Sequence, residues 1–146
     1  MSYFLVSVRY DNYLQLKETD FKLIGFPAYS KRIESIEPGD KFILYIGSGK
    51  SLIPGIIEST SQMFWSTEFL WDDIFPKRIK TKKYIMLNQN NYVSMREIKN
   101  GLSFINPDVK KFGVYFMQGL RELSEEDYSY IYKKVAEKAN ETGWNF

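Results

Sequence analysis

The sequence predicts an α+β fold in which short strands and short helices close a small barrel. Three observations predict it. Residues 41–47 and 53–61 are β-rich apolar runs joined by the Gly47-to-Lys50 turn. Pro38-Gly39-Asp40 precedes the first run, a tight turn in which proline fixes φ and glycine accepts a positive φ. The second run carries Pro54 and Gly55, which strands avoid unless a bulge or the close approach of a backbone or ligand requires them, so a pocket is expected at that break. Strands and helices also mix without βαβ alternation, which argues against a doubly wound parallel sheet.

The elements follow in order. Residues 3–8 read as the first strand. A helix is expected from Asn12, with Asn12 as its cap, Gln15 at the capping-box position, and Leu14, Leu16 and Phe21 as apolar contacts. Ile24-Gly25-Phe26-Pro27 reads as a loop with a breaker pair, and Ser30 as the cap of a second short helix over 31–36. After the two central strands, residues 62–74 hold Phe64, Trp65, Phe69 and Trp71 and read as either a short helix or an aromatic-rich loop. A strand is expected from Arg78 to Met86, then a polar loop over 87–92. Ser94-Met95-Arg96-Glu97 is a capping box, and Gly101 a stop. Residues 114–117 read as a short buried strand with Tyr115 and Met117 in the core, and residues 118–121 turn away from it. Ser124-Glu125-Glu126-Asp127 opens the clearest helix: the serine caps, and the acids sit at the positive end of the helix dipole. Tyr128, Ile131, Tyr132, Val135 and Ala139 recur on one helical face. One domain is expected over 1–146, with its core over about 3–135 and a short tail at 140–146.

Composition narrows the chemistry. The chain has 146 residues, 44% hydrophobic and 17% aromatic, so aromatic side chains beyond the needs of a core are free to line a pocket. It contains no cysteine and no histidine. That excludes thiol nucleophiles, disulfides, Cys/His zinc sites, a Ser-His-Asp triad and an imidazole base. No paired-carboxylate signature points to an enzyme, and no cofactor is implied. Gly47-Ser48-Gly49-Lys50-Ser51 faintly echoes a phosphate-binding loop, but strands flank it on both sides, so it reads as a hairpin turn. No run is apolar for the roughly 18 residues a membrane span needs. The N-terminus lacks a basic leader, and the protein reads as cytoplasmic. Net charge is only +2. Its distribution says more: Lys77, Arg78, Lys80, Lys82 and Lys83 crowd together, with Lys110 and Lys111 as a second group. Such a run is either a solvated strand face or a phosphate-tracking edge.

The assembled motifs resemble the EVE domain, a member of the PUA-like superfamily. They are Tyr3-Phe4 in the first strand, Gly25-Phe26-Pro27, Pro38-Gly39-Asp40 before an apolar strand, Gly55-Ile56, Phe75-Pro76-Lys77-Arg78-Ile79, and the run from Met117 to Tyr128. The resemblance covers residues 3 to about 135. It implies a pseudo-barrel of about five or six strands with short flanking helices and a concave pocket with a basic rim. It also implies a non-catalytic module that binds DNA or RNA and reads a modified base, as the related YTH domain reads a methylated adenine in RNA. Readers of this kind stack an extruded base between aromatic walls while basic groups hold phosphates. Phe4 and Ile24 stand where the family often has tryptophan, which makes Trp65 or Tyr29 the candidate replacement wall.

The candidate base-pocket residues are therefore Ser7, Arg9, Asn12, Gly25, Phe26 and Trp65, and the candidate phosphate contacts are Lys77, Arg78 and Lys80. Each has a plainer alternative. Arg9 reads equally as a solvated strand-end charge, Asn12 as a helix cap, Phe26 as core and Arg78 as an ion-pair partner of Glu125 or Glu126. Arg121 is expected to pair with Asp127. Two rival functions stay open: a module that binds structured RNA by shape, and, by likeness to ASCH-type relatives, a hydrolase using Lys80 with Glu58 on a modified nucleoside. Oligomeric state is not legible.

Overall fold

Alternation along two adjacent strands divides the apolar side chains between two clusters. The computed structural model describes residues 1–47, 49–71, 75–105 and 119–141. Its elements in chain order are β1 (Tyr3–Val8), α1 (Tyr10–Glu18), β2 (Leu23–Phe26), β3 (Lys41–Ile46), β4 (Leu52–Ser59), β5 (Phe64–Trp65), β6 (Lys77–Met86), β7 (Val93–Ser94), α2 (Met95–Ile98), β8 (Leu120–Leu123) and α3 (Glu125–Glu141). Single 3₁₀ turns lie at Arg32–Ser35, Gln89–Asn91 and Lys99–Gly101. In β1, Phe4, Val6 and Val8 join one cluster and Leu5 the other; in β3, Phe42, Leu44 and Ile46 join the first, and Ile43 and Tyr45 the second. β3 is buried along its whole length, as expected for a strand covered on both faces. The cluster of Leu5 and Tyr45 packs against α3 through Tyr128, Ile131, Val135 and Ala139. The cluster of Phe4 and Phe42 takes in α1 through Tyr13 and Leu16 and the 3₁₀ turn through Ile33.

Six strands run β2-β6-β4-β3-β1-β8, with β5 added to β6 and β7 to β4, giving a mixed, curled sheet that forms a half-barrel. The six-strand path matches the expected pseudo-barrel. β1 pairs parallel with β3, Tyr3 opposite Lys41 and Val8 opposite Ile46, and antiparallel with β8, Tyr3 opposite Leu123 and Val6 opposite Leu120. Between β4 and β6 the register slips: Ile56 faces Ile85 and Ile57 faces Lys83, so Tyr84 is the extra residue of a bulge. Gly55 lies beside this slip, and a Cβ there would come within 2.3 Å of the Ile85 carbonyl oxygen. The break in β4 thus admits a neighbouring backbone, and the pocket expected there is filled by β6.

Several local expectations are corrected. α1 begins at Tyr10, so Asn12 sits in its first turn rather than at its cap, and its N–H donates to the Asp11 carboxylate at 3.0 Å. Residues 24–27 are largely strand, because Gly25 keeps β-sheet pairing with Arg78 and Pro27 lies just beyond the ladder. The second short helix is the 3₁₀ turn at Arg32–Ser35, without a side-chain cap from Ser30. Ser94 makes no capping bond either, and α2 is one turn long. The start of the 62–74 segment forms β5, and residues 120–121 belong to β8 rather than to a turn. Asp127 accepts from the Ser103 N–H at 2.9 Å and its hydroxyl at 2.6 Å, while Arg121 lies over the Phe104 ring at 4.5 Å. α3 is capped as expected, the Ser124 hydroxyl accepting from the Asp127 N–H at 3.1 Å. The expected strand at 114–117 with Tyr115 and Met117, the pair Lys110 and Lys111, and the tail at 142–146 lie outside the described residues. No described helix is long and apolar enough to cross a membrane.

Candidate functional site

β2 ends at Phe26, and the chain turns through Pro27, whose carbonyl accepts from the Ser30 N–H at 3.0 Å, into the 3₁₀ turn. Ile33 and Ile36 are fully buried and pin this segment to the core, which leaves Tyr29, Lys31 and Arg32 on the outside. Between this ridge and the start of β8 lies a cleft of about 500 Å³, lined by Phe26, Tyr29, Ser30, Lys31, Arg32 and Leu120 among others. Phe26 and Leu120 are core residues that also supply its apolar floor, and the Tyr29 ring stands 84% exposed at its edge. Arg32 reaches Glu122 of β8 at 3.2 Å, an exposed ion pair that a ligand would displace at a cost below about 1 kcal/mol.

Lys77 holds the ridge in place. Its side chain is buried, and the ammonium donates to the Ser30 carbonyl at 2.6 Å and to Glu34 at 3.0 Å. The same ammonium lies 5.7 Å from the centre of the Trp65 ring, which is 61% exposed. Trp65 is therefore one lysine head group away from the cleft residue Ser30. A buried cation that fastens the ridge to β6 preorganises the cleft, and its charge is already committed.

Arg78 is also buried, and its guanidinium donates to the carbonyls of Phe75 and Glu68 and to the Ser66 hydroxyl. It staples the segment bearing Trp65 and Phe69 to the sheet, and its described partners include neither Glu125 nor Glu126. Gly25 faces the same segment: a Cβ there would meet Leu70 and Phe75 at 2.7 Å. Lys80, by contrast, is exposed and has no carboxylate within ion-pair distance among the described residues. Its neighbours Lys82 and Lys83 pair with Glu58 and Asp20.

Of the residues expected in a base pocket, the cleft gathers Phe26; Trp65 is outside its lining, across the Lys77 ammonium from Ser30. Gly25 lies one residue behind Phe26, packed against the loop. Ser7 is on the opposite face of β1 from Val6 and Val8, although its N–H donates to the Gly119 carbonyl at 2.7 Å, beside the cleft. Arg9 is exposed at the end of β1, its guanidinium 3.4 Å from the Asp11 carboxylate. Asn12 is half-buried in α1 and does not line the cleft. Sequence reasoning gives no reason to single out Lys31, Arg32 or Leu120. The one signal for them is an exposed-type tyrosine between Pro27 and two cations, in a stretch that reads as a helix start.

The pair expected of a hydrolase is not brought together. Glu58 takes Lys41 at 2.5 Å and Lys82 at 3.1 Å, not Lys80. The hydrogen bond from Lys41 holds the Glu58 carboxyl below its ordinary value of 4.5, outweighing the upward push of burial, and Lys82 adds to the effect. Because the folded value lies below the unfolded one, this pair contributes its full stability above about pH 4.5, and the contribution fades as pH falls through the folded value. Glu58→Gln is expected to cost about 1–2 kcal/mol at pH 7, since it leaves Lys41 buried without its counter-charge. Urea titrations of both proteins should show the difference shrinking as pH drops below 4.5.

No protein-family model matches the chain. In sequence it is similar to a UPF0310 protein of Pyrococcus horikoshii, 27% identical over 149 residues and covering 91% of this chain and 98% of the relative. A UPF0310 protein of Pyrococcus abyssi is 28% identical over 144 residues, covering 90% and 97%. Among solved structures it resembles the MmI1 YTH domain, with a TM-score of 0.69 at 15% identity, covering 97% of this chain and 99% of that one. It also resembles the YTH domain of Zygosaccharomyces rouxii MRB1 in complex with N6-methyladenosine RNA, with a TM-score of 0.63 at 13% identity, covering 92% and 86%. The human THYN1 protein in complex with 5-methylcytosine-containing DNA gives a TM-score of 0.60 at 11% identity, covering 94% and 98%. The chain thus has the PUA-like α+β fold that these domains share.

Proposed function

We propose that this chain is a non-catalytic nucleic-acid-binding module of the EVE group that holds a single, modified nucleobase in the cleft between the Phe26–Arg32 segment and β8. The observation that carries the reading is the exposed Tyr29 ring at the edge of a cleft floored by Phe26 and Leu120 and lined by Lys31 and Arg32. A flat heterocycle extruded from its strand fits this chemistry: one face stacks on tyrosine, the other lies on aliphatic and aromatic carbon, and the flanking phosphates meet cations. Trp65, across the Lys77 ammonium from Ser30, is a second exposed aromatic outside the cleft lining, and Lys80 and Arg9 are further exposed cations. Lys77 and Arg78 act from behind, one fastening the ridge and the other the Trp65 segment. The fold shared with THYN1 and the YTH domains supports the reading, since two of those proteins are held with methylated nucleic acids.

The test is fluorescence anisotropy with single-stranded DNA carrying one 5-methylcytosine, RNA carrying one N6-methyladenosine, their unmodified counterparts, and a folded tRNA. The expected result is tighter binding to a modified strand, weakening steeply with salt. Tyr29→Ala is expected to reduce that affinity by about tenfold to a hundredfold, the worth of roughly 1–3 kcal/mol of stacking, without moving the unfolding midpoint. Equal binding to modified and plain strands would overturn the reading, and a preference for tRNA would favour a module that recognises RNA by shape.

A further inference from the structure

A second recess opens at the end of β1, beside β3 rather than β8. It holds about 180 Å³ and is lined by Tyr10, Tyr13 and Tyr92, with Lys17, Lys50 and Gln89 at its mouth. Three features give it a chemistry of its own. Among the described residues, neither Lys17 nor Lys50 has a carboxylate within ion-pair distance, and the Lys50 ammonium rests 4.4 Å from the centre of the Tyr10 ring. The Tyr13 and Tyr92 hydroxyls share one hydrogen bond at 3.0 Å. Whichever donates, the other keeps a hydrogen of its own to offer, and no described acceptor takes it. Burial and the neighbouring phenol push Tyr13 far above its ordinary value of 10.0. Two cations, an O–H donor and an amide around a small opening are the complement of a phosphodiester.

Position ties this recess to the cleft. The sheet order at this end is β3-β1-β8. The second recess lies on the β3 side, at Ile46, and the cleft lies on the β8 side, at Gly119 and Leu120. Arg9, exposed, occupies the end of β1 between them: it directly precedes Tyr10 of the recess and follows, by two residues, the Ser7 whose N–H meets Gly119. We infer that the Tyr10–Tyr13–Tyr92 recess is a phosphate subsite for the strand flanking the base held in the cleft, with Lys17 and Lys50 as its cations and Arg9 bridging the two. This rests on the reading of the cleft as a base pocket and gives the strand a direction across the protein, over the end of β1.

The test compares wild type, the double variant Lys17→Gln/Lys50→Gln and Tyr29→Ala. The probes are single-stranded pentanucleotides with a central 5-methylcytosine (DNA) or N6-methyladenosine (RNA), and the corresponding free nucleosides, followed by NMR titration. The lysine variant is expected to bind the better pentanucleotide roughly tenfold more weakly, with a salt slope smaller by about 0.7 for each phosphate that is no longer neutralised. Its binding of the free nucleoside should be unchanged, whereas Tyr29→Ala should lose both. A lysine variant with the wild-type pentanucleotide affinity and salt slope overturns the subsite and leaves the cleft reading standing. A lysine variant that loses the free nucleoside also overturns it, since the effect would then not come from a flanking phosphate. Failure of wild type to bind any of the probes overturns both.

Discussion

Gly55→Ala is expected to lower stability by about 3 kcal/mol, toward the upper end of what a methyl group inserted into a packed core costs. The added Cβ would lie 2.3 Å from the Ile85 carbonyl oxygen, 2.7 Å from the Met86 sulfur and 2.9 Å from the Met86 Cα. The sulfur is the end of a flexible side chain and could swing away. The other two atoms belong to the backbone of β6, and they can move only if β4 and β6 separate at the step where Tyr84 already bulges. Separation would strain the neighbouring hydrogen bond from the Leu87 N–H to the Pro54 carbonyl, now 2.9 Å. In urea, the midpoint should fall while the slope stays constant, the sign of a native state destabilised without a change in the surface exposed on unfolding. A midpoint within experimental error of wild type would mean that the two strands part more easily than this spacing implies.

Arg78→Met is expected to be nearly as damaging, at about 3 kcal/mol, and to act on function as well. The guanidinium satisfies the Phe75 and Glu68 carbonyls and the Ser66 hydroxyl, three acceptors spread along one segment. Methionine fills the space of the stem but leaves those acceptors without the charged donor they face, a loss of the order of 1.5–3 kcal/mol for each such bond where nothing replaces it. The bonds are not additive, which keeps the total near the cost of one or two. Arg78→Lys should rescue little, because a single ammonium cannot span the fork that three separated acceptors require. Limited proteolysis should then cut near Trp65 and Phe69, which are already exposed. Modified-base affinity should drop in step if the exposed Trp65 takes part in binding. Resistance to proteolysis equal to that of wild type would show that the segment is held by something other than Arg78.

Residue spacing disclosed the scaffold far better than the cleft. The α3 face, the four long strands and the Ser124 cap follow from local rules: periodicity, β-branched runs and a hydroxyl before three acids. β2 and β8 escaped because each is four residues long and borders a glycine or proline, so propensity argues against them while pairing with β6 and β1 decides for them. The basic run at 77–83 misled for a related reason. A lysine in a sequence looks solvated, yet Lys77 and Arg78 point inward to carbonyls that only the fold brings near. The cleft residues Tyr29, Lys31 and Arg32 carry no motif; they matter because buried Ile33 and Ile36 turn them outward and because Leu120, far along the chain, forms the facing wall.

The double pairing of β1 has a consequence for how the protein is made. Val6 and its neighbours bond to β3 on one side and to β8 on the other. During synthesis the first of these partners emerges early and the second only when the ribosome has passed Leu123. For most of translation the nascent protein therefore carries an apolar strand with one flank open, a template on which a neighbouring polypeptide can dock. Fragments that stop short of β8 are expected to clump rather than fold, and a late-arriving strand of four residues becomes the seal that makes the finished molecule safe.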